Sequence, residues 1–293
     1  MRKNIFKFAL LVALFAACAS SGYAQSGNAT IWEIRKDGNS IFLAGSIHLL
    51  RSQDYPMPAA FDSAYKKSSI LVLETDVDKM TEPDMMEYAN KKIMLPSGQT
   101  LRTVLNEDVY KRLEGLAGSA GIEALSRYRP SVIVTSLQTL FLQSSGFTEK
   151  GADLYYLEKS KQDGKSLGFL EDPKIQIDML SNMADGIENE YVADAVDGIF
   201  KSVNEAVTLV SEWKEGIAKT TEDLLGSQKK QWPTVYEIMV LDRNLAWIPI
   251  IENYLTTKPI EFVIVGMAHV YGPDGLLAQL KNKGCKIKQL VNK

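Results

Sequence analysis

Short, continuous apolar runs near both ends of the chain predict strands of a buried sheet. The runs IFLAG (41–45) and ILVLE (70–74) flank a segment with the features of a helix, with Pro58 near its start. The runs IEFVIVG and CKIKQLV flank a second predicted helix, which opens with a proline in the same way. The order strand, helix, strand therefore occurs twice, at 41–74 and 261–291, and indicates an internal duplication.

The middle of the chain has a different pattern. From about 81 to 257, most apolar residues recur with a period near 3.6, which is typical of helices. One apolar run near 165–171 interrupts these helices and predicts a further strand. We therefore predict an α/β fold with a mixed, mostly parallel sheet. In each duplicated half, a Gly-x-x-His (GxxH) motif lies between the first strand and the helix, and the helical middle is a large insertion.

The first 24 residues have a basic start, an apolar centre and a small-residue end, which are the features of a secretory signal peptide. The alternative is a lipoprotein signal with a lipid anchor at Cys18. We therefore expect an exported protein, periplasmic or secreted, or else anchored to a membrane through lipid. No later segment has the uninterrupted apolar length of a membrane span, and residues 25–293 are expected to form a single domain.

Charge and cysteine content exclude two classes of protein. The formal net charge is −3, and removal of the basic leader makes the chain more acidic, so we expect no nucleic-acid partner. The only cysteines are Cys18 and Cys285, of which the first lies in the predicted leader. We therefore expect no internal disulfide, and stability must come from the core.

The two histidines of the chain, His48 and His269, occupy the same local sequence pattern. Each follows a predicted buried strand in a GxxH motif, with Gly45 and Gly266 at the strand ends, where glycine lets the backbone turn sharply or approach a ligand. Ligands of open α/β sheets bind beyond the carboxyl ends of the strands. If the two strands are neighbours, the two imidazoles converge on one site.

Charged and polar residues at other strand ends are candidates for the same site. Glu74 ends a buried run, where a carboxylate is costly unless it is paired or bound to metal, and Glu171 ends its strand in the same manner. Arg243 and Asn244 are polar residues inside an otherwise apolar helix, and they are candidates for anchoring a substrate or a carboxylate. Asp76 is a weaker candidate two positions beyond Glu74.

Two imidazoles and one or two carboxylates form a ligand set suited to a divalent metal. The residues alone do not choose among Mn²⁺, Co²⁺, Fe²⁺ and Zn²⁺. With an open coordination position, such a metal acidifies a bound water and polarises a carbonyl, while a spare carboxylate acts as general base. This predicts a hydrolase in which His48, His269 and Glu74 serve as metal ligands and catalytic groups, acting on a peptide or another small substrate.

In these motifs the chain resembles the TraB/GumN family, which is related to the TIKI metalloproteases. The resemblance covers roughly 31–290 and is carried by GSIHLL, LVLETD, GADLYYLEKSKQDGKSLGFLED, LDRNLAW and VGMAHVYGPDGLLAQLKNKG. The family's two GxxH motifs and its acidic residue after the second strand fall on Gly45, His48, Glu74, Gly266 and His269.

The resemblance implies an α/β core of the kind shared with erythromycin-esterase-like and haem-binding ChaN-like proteins. For the TIKI branch it also implies proteolysis that depends on Mn²⁺ or Co²⁺. The leading hypothesis is therefore an exported, metal-dependent peptidase. Two alternatives are a non-catalytic protein that binds haem or another ligand through a histidine, and a hydrolase that uses a His/Glu pair without metal.

Overall fold

A computed structural model describes residues 27–292 of the chain; the predicted leader and Cys18 lie outside these residues. The strands are β1 (Gly27–Lys36), β2 (Asn39–Ser46), β3 (Leu50–Arg51), β4 (Ile70–Leu73), β5 (Phe147–Thr148), β6 (Ser166–Phe169), β7 (Glu261–Gly266) and β8 (Lys286–Asn292). The α-helices are α1 (Ala59–Lys67), α2 (Pro83–Lys92), α3 (Leu101–Val104), α4 (Glu107–Ala117), α5 (Ser119–Ala124), α6 (Pro130–Ser144), α7 (Ala152–Asp163), α8 (Pro173–Asn182), α9 (Glu188–Glu215), α10 (Lys219–Gln231), α11 (Pro233–Tyr236), α12 (Asp242–Tyr254), α13 (Met267–Val270) and α14 (Leu276–Asn282).

The main sheet has six strands in the order β6-β4-β7-β2-β1-β8. Strands β6, β4, β7 and β2 run parallel to one another, and β1 alone runs against its two neighbours. A tight turn at Asp37 and Gly38, both with positive φ, joins β1 to β2 in the predicted hairpin. The prediction of a mixed, mostly parallel α/β sheet is confirmed.

The two strand-helix-strand halves cross the sheet in opposite directions, from β2 to β4 and from β7 to β8. Helix α1 joins β2 to β4 and contributes Phe61 and Tyr65 to the core on one face, whereas α14 joins β7 to β8 and contributes Leu276 and Leu280 to the other. The first strands of the two halves, β2 and β7, are hydrogen-bonded neighbours. The two GxxH motifs therefore lie side by side at the carboxyl ends of these two strands.

The helical insertion returns to the sheet once, through β6, which pairs in parallel with β4. Its last part is not uniformly α-helical, because the segment Glu237–Leu241 has the wider turns of a π-helix. Such segments often occur at functional sites, and this one lies directly before Arg243 and Asn244. Within residues 27–292, no helix combines the length and apolarity needed to cross a bilayer.

Candidate functional site

A cavity of about 670 Å³ lies beyond the carboxyl ends of β2, β4 and β7. Its floor consists of the segments that follow these strands, and it includes both histidines, Glu74 and Arg243. Its walls come from the helical insertion, mainly from α6 to α10 and the π-helical segment. The duplicated strands thus supply the chemical groups, and the insertion encloses them.

His48 lies on the floor with its ring open to the cavity, since 58% of the side chain is exposed. Its Nδ1 lies 3.1 Å from Oδ2 of Asp153, in the first turn of α7. Asp153 raises the pKa of His48 above its usual value, although water in the open cavity screens the pair. The carboxylate also fixes the ring orientation, which leaves Nε2 as the nitrogen available for chemistry.

Glu74, directly after β4, is held by three donors. Its Oε1 accepts from the Gly266 amide at 2.7 Å, and its Oε2 accepts from Arg243 at 2.6 Å and from the Gln176 amide at 3.2 Å. Burial opposes ionisation, but the cationic groups around the carboxylate and the Gly266 amide outweigh it and lower the pKa of Glu74 to about 2. Glu74 is therefore a fixed carboxylate at neutral pH.

His48 and Glu74 both lie close to the position that a Cβ atom of residue 266 would occupy, and we call this position their common point. A Cβ atom at this position would lie 3.1 Å from His48 Nε2 and 3.4 Å from Glu74 Oε1. The described structure has no direct hydrogen bond between the imidazole and the carboxylate. A small ligand can therefore contact both groups beside the Gly266 backbone, and glycine is required there because any side chain would enter this space.

We expect Gly266→Ala to lower kcat/KM by about 10²-fold, because the methyl group displaces the His48 ring from its position. The loss of stability should be small, about 1 kcal/mol, since the exposed ring can rotate into the cavity. Steady-state kinetics and urea unfolding measure the two effects. Gly115→Ala on α4 is the matched control, because no atom lies within 4 Å of its Cβ position; equal activities of the two variants would contradict this role of Gly266.

Arg243 is the centre of the buried part of the site, with only 7% of its side chain exposed. Its Nη2 donates to Glu74 and to Glu171, each at 2.6 Å, and its Nε also donates to Glu171. Burial lowers the pKa of Arg243, but the two carboxylates outweigh this and raise it overall. Trp247 Nε1 donates to Glu171 at 2.9 Å and completes this buried hydrogen-bond network around Arg243.

His269 is buried, in contrast to His48, and both of its ring nitrogens have partners. Nε2 lies 2.9 Å from Nη1 of Arg243, which can only donate, so Nε2 is the acceptor. Nδ1 then carries the proton and donates to Oδ1 of Asn244 at 2.8 Å. Burial lowers the pKa of His269 to about 3, so the ring is neutral at physiological pH.

Asn244 fixes this orientation independently. Its Nδ2 donates to the backbone carbonyls of His269 and Asp274, at 3.1 and 2.9 Å, so the opposite side of the amide must present Oδ1 to the ring. The Trp247 ring lies 4.4 Å from the His269 ring, centroid to centroid. The imidazole is therefore held on three sides.

Most of the predicted site residues converge here. His48, Glu74, Gly266, His269 and Arg243 all border the cavity, and Glu171 and Asn244 lie directly behind it. Two others lie elsewhere. The backbone of Gly45 packs against Met267, where a Cβ would approach the side chain to 3.1 Å, and Asp76 caps the turn at Asp78 and Lys79.

Two contacts of the site are not predicted by the sequence. Asp153 lies in the first turn of α7, where an acidic residue has an ordinary structural role, but it also bonds to His48. Gln176 on α8 belongs to none of the motifs, although it donates to Glu74. The only sequence signal for Asp153 is its place in the segment GADLYYLE, which carries part of the family resemblance.

The same geometry tests the predicted metal ligands. Across residues 27–292, no three or more His, Cys, Asp and Glu side chains are grouped as a metal site. His48 Nε2 and Glu74 Oε1 do flank one point that is open to the cavity, and two protein ligands plus water suit a divalent cation such as Mn²⁺. His269 does not offer Nε2 to this point, because that nitrogen accepts from Arg243. Of the three predicted metal ligands, His48 and Glu74 thus each present one atom to this point, and His269 presents none.

Comparisons with known proteins agree with the motifs. The sequence profile of the TraB/PrgY/gumN family matches residues 30–289. Protein YbaP of Escherichia coli (strain K12), itself described as uncharacterized, is 27% identical over 267 residues, which are 88% of this chain and 96% of that protein. Metalloprotease TIKI1 of Xenopus tropicalis is 31% identical over 123 residues, 38% of this chain and 23% of TIKI1. Human TIKI1 is 35% identical over 101 residues, 34% of this chain and 19% of its own length. No solved structure matches the chain.

Proposed function

The chain belongs to the TraB/PrgY/gumN family, as its motifs predicted, and from this membership and the geometry of the cavity floor we propose that it is a hydrolase. The observation that carries the proposal is the common point of His48 Nε2 and Glu74 Oε1 beside Gly266. An acid or base and a fixed carboxylate meet there at the floor of an enclosed cavity, as carbonyl hydrolysis requires.

Each residue has a defined part in the proposed reaction. Glu74 orients a water molecule and accepts its hydrogen bond at the common point, while His48 exchanges a proton with the water or the leaving group through Nε2. Asp153 positions the His48 ring and stabilises its protonated form. Arg243 holds the Glu74 carboxylate in place and is itself held by Glu171.

A divalent metal, Mn²⁺ or Co²⁺ with Zn²⁺ or Fe²⁺ as alternatives, is the cofactor that we propose for this site. His48 Nε2 and Glu74 Oε1 would hold it, and when bound it would polarise the substrate carbonyl and acidify a water. A second candidate is the same His/Glu pair working without metal. The position of Arg243 favours this metal-free pair. Its guanidinium already supplies a positive charge at Oε2 of Glu74, and it donates a hydrogen bond to His269 Nε2, so that this nitrogen is not available to a metal.

Metal binding separates these two candidates. On the metal-dependent proposal, isothermal titration with MnCl₂ gives one site in the wild type and none in His48→Ala or Glu74→Gln, since each loses one of two ligands. Asp76→Asn is the matched control, because this carboxylate caps a turn away from the cavity. Binding by His48→Ala equal to that of the wild type would contradict the site, and chelator-resistant hydrolysis would favour the metal-free pair.

Peptide bonds are the first substrates to test, because the TIKI1 relatives are named metalloproteases. The test is a library of peptides and simple esters assayed with Mn²⁺, with Co²⁺ and with a chelator. Cleavage by the wild type that is lost in His48→Gln would support the hydrolase. No cleavage under any condition, or equal cleavage by both proteins, would contradict it. We also propose that this activity lies outside the cytoplasm, which is supported by the basic start and apolar centre of the first 24 residues.

A further inference from the structure

The walls of the cavity are almost entirely apolar, and this restricts the ligand. Leucine and methionine side chains from six segments of the insertion face the space: Leu142, Leu154, Met179, Leu209, Leu224 and Met239. The charged groups lie on the floor, and the walls add three uncharged polar side chains, those of Gln176, Thr221 and Gln228. A ligand that fills the cavity therefore meets charged groups at one end and mostly hydrocarbon along the rest.

A peptide backbone is poorly suited to such a space. Each buried amide needs hydrogen-bond partners, and an unpaired one is costly. The wall backbone is mostly helical, so its amides and carbonyls are largely paired within the helices, and the Gln176 side chain on the wall already donates to Glu74. An alkyl chain requires no partners and gains free energy from every methylene that it buries.

Charge restricts the polar end of the ligand. Among the described residues that line the cavity, Arg243 is the only lysine or arginine, and Glu74 and Glu171 already neutralise it. The floor also carries Asp153. In the metal-free form of the site, a free carboxylate would meet the like charges of Glu74 and Asp153, and the only other cation there, His48, is already paired with Asp153. A neutral ester or amide avoids this repulsion.

Building on the proposed hydrolase, we infer that the substrate is a neutral acyl ester or acyl amide whose alkyl chain occupies this cavity. Its carbonyl lies at the common point of His48 and Glu74, and the alcohol or amine side lies toward the opening. Water adds to the acyl carbon, the C–O or C–N bond breaks, and the leaving group takes up a proton. The products are the carboxylic acid and the alcohol or amine, which leave through the opening of the cavity.

The test combines hydrolysis with binding. Hydrolysis is measured with p-nitrophenyl acetate, butyrate and octanoate, and binding is measured by calorimetry with octanoyl- and decanoyl-N-methylglucamide below their micelle concentrations. We expect kcat/KM and affinity to rise with chain length, by at most about fourfold per methylene. Leu209→Trp, which fills part of the wall, should bring the ratio of kcat/KM for octanoate to kcat/KM for acetate down to about one. Leu140→Trp is the matched control, because this leucine is 59% exposed and does not line the cavity.

The outcomes separate this inference from the proposed function. Hydrolysis of peptides or acetate with no effect of chain length, together with no glucamide binding, would overturn the acyl assignment and leave the hydrolase standing. Chain-length-dependent glucamide binding without hydrolysis of any ester or amide would overturn the hydrolase and retain an acyl-binding cavity. Equal loss of the octanoate preference in Leu140→Trp would also count against the cavity as the location of the chain.

Discussion

Replacement of Arg243 by methionine is expected to destabilise the protein by about 3–5 kcal/mol, because it leaves two buried carboxylates without their shared cation. Glu74 and Glu171 are 11% and 5% exposed, so water cannot replace the guanidinium. The methionine side chain keeps much of the volume, which separates loss of charge from loss of packing. Urea unfolding followed by circular dichroism measures the change.

Two further variants make this prediction specific. Arg35→Met is the matched control, since Arg35 is 64% exposed and pairs only with Glu33 on the same strand; we expect a change within about 0.5 kcal/mol. In the double variant Arg243→Met with Glu171→Gln, one of the unpaired charges is removed, and part of the lost stability should return. Equal destabilisation by Arg243→Met and Arg35→Met would show that the buried network does not exist as described.

Glu74→Gln is expected to reduce kcat/KM for any substrate of the cavity by about 10²–10⁴-fold. The amide preserves the shape of the side chain but loses the negative charge that orients water at the common point. The loss should appear mainly in kcat, because the apolar walls that bind substrate are unchanged.

The control for this prediction is Glu87→Gln on α2, where the carboxylate is 69% exposed and pairs with Lys91 one turn away. Wild-type activity is expected for this variant. Folding of Glu74→Gln must be checked by its unfolding midpoint, because Arg243 loses one of its two carboxylate partners. A folded Glu74→Gln protein with undiminished kcat would remove Glu74 from the proposed mechanism.

The fold and the position of the site could be predicted because their signals are local. A glycine and a histidine after each buried apolar run place both histidines at strand ends, and repetition of the pattern suggests that the strands are neighbours. The carboxylates at 74 and 171 could be found in the same way. The structure adds that these two strands pair, since the Glu171 amide donates to the Glu74 carbonyl at 2.9 Å.

The roles of the two histidines could not be distinguished from the sequence. Identical motifs suggest identical environments, but the environment of each ring comes from a distant helix. Asp153, 105 residues away, bonds to the exposed His48, whereas Arg243 and Asn244 on α12 enclose His269. A first-turn acid such as Asp153 satisfies a local helical role, so the sequence gives no reason to look for a second partner.

The central claim is that Arg243 and Asn244 hold His269 in a fixed neutral form and leave His48 as the reactive imidazole. Long-range ¹H–¹⁵N correlation spectra of the ring nitrogens test it directly, because the chain has only two histidines and a His48→Gln variant assigns both. The structure predicts that His269 is the Nδ1–H tautomer, with an unprotonated Nε2 that accepts from Arg243, throughout the neutral pH range. A His269 ring with its proton on Nε2, or with protons on both nitrogens, would contradict the account.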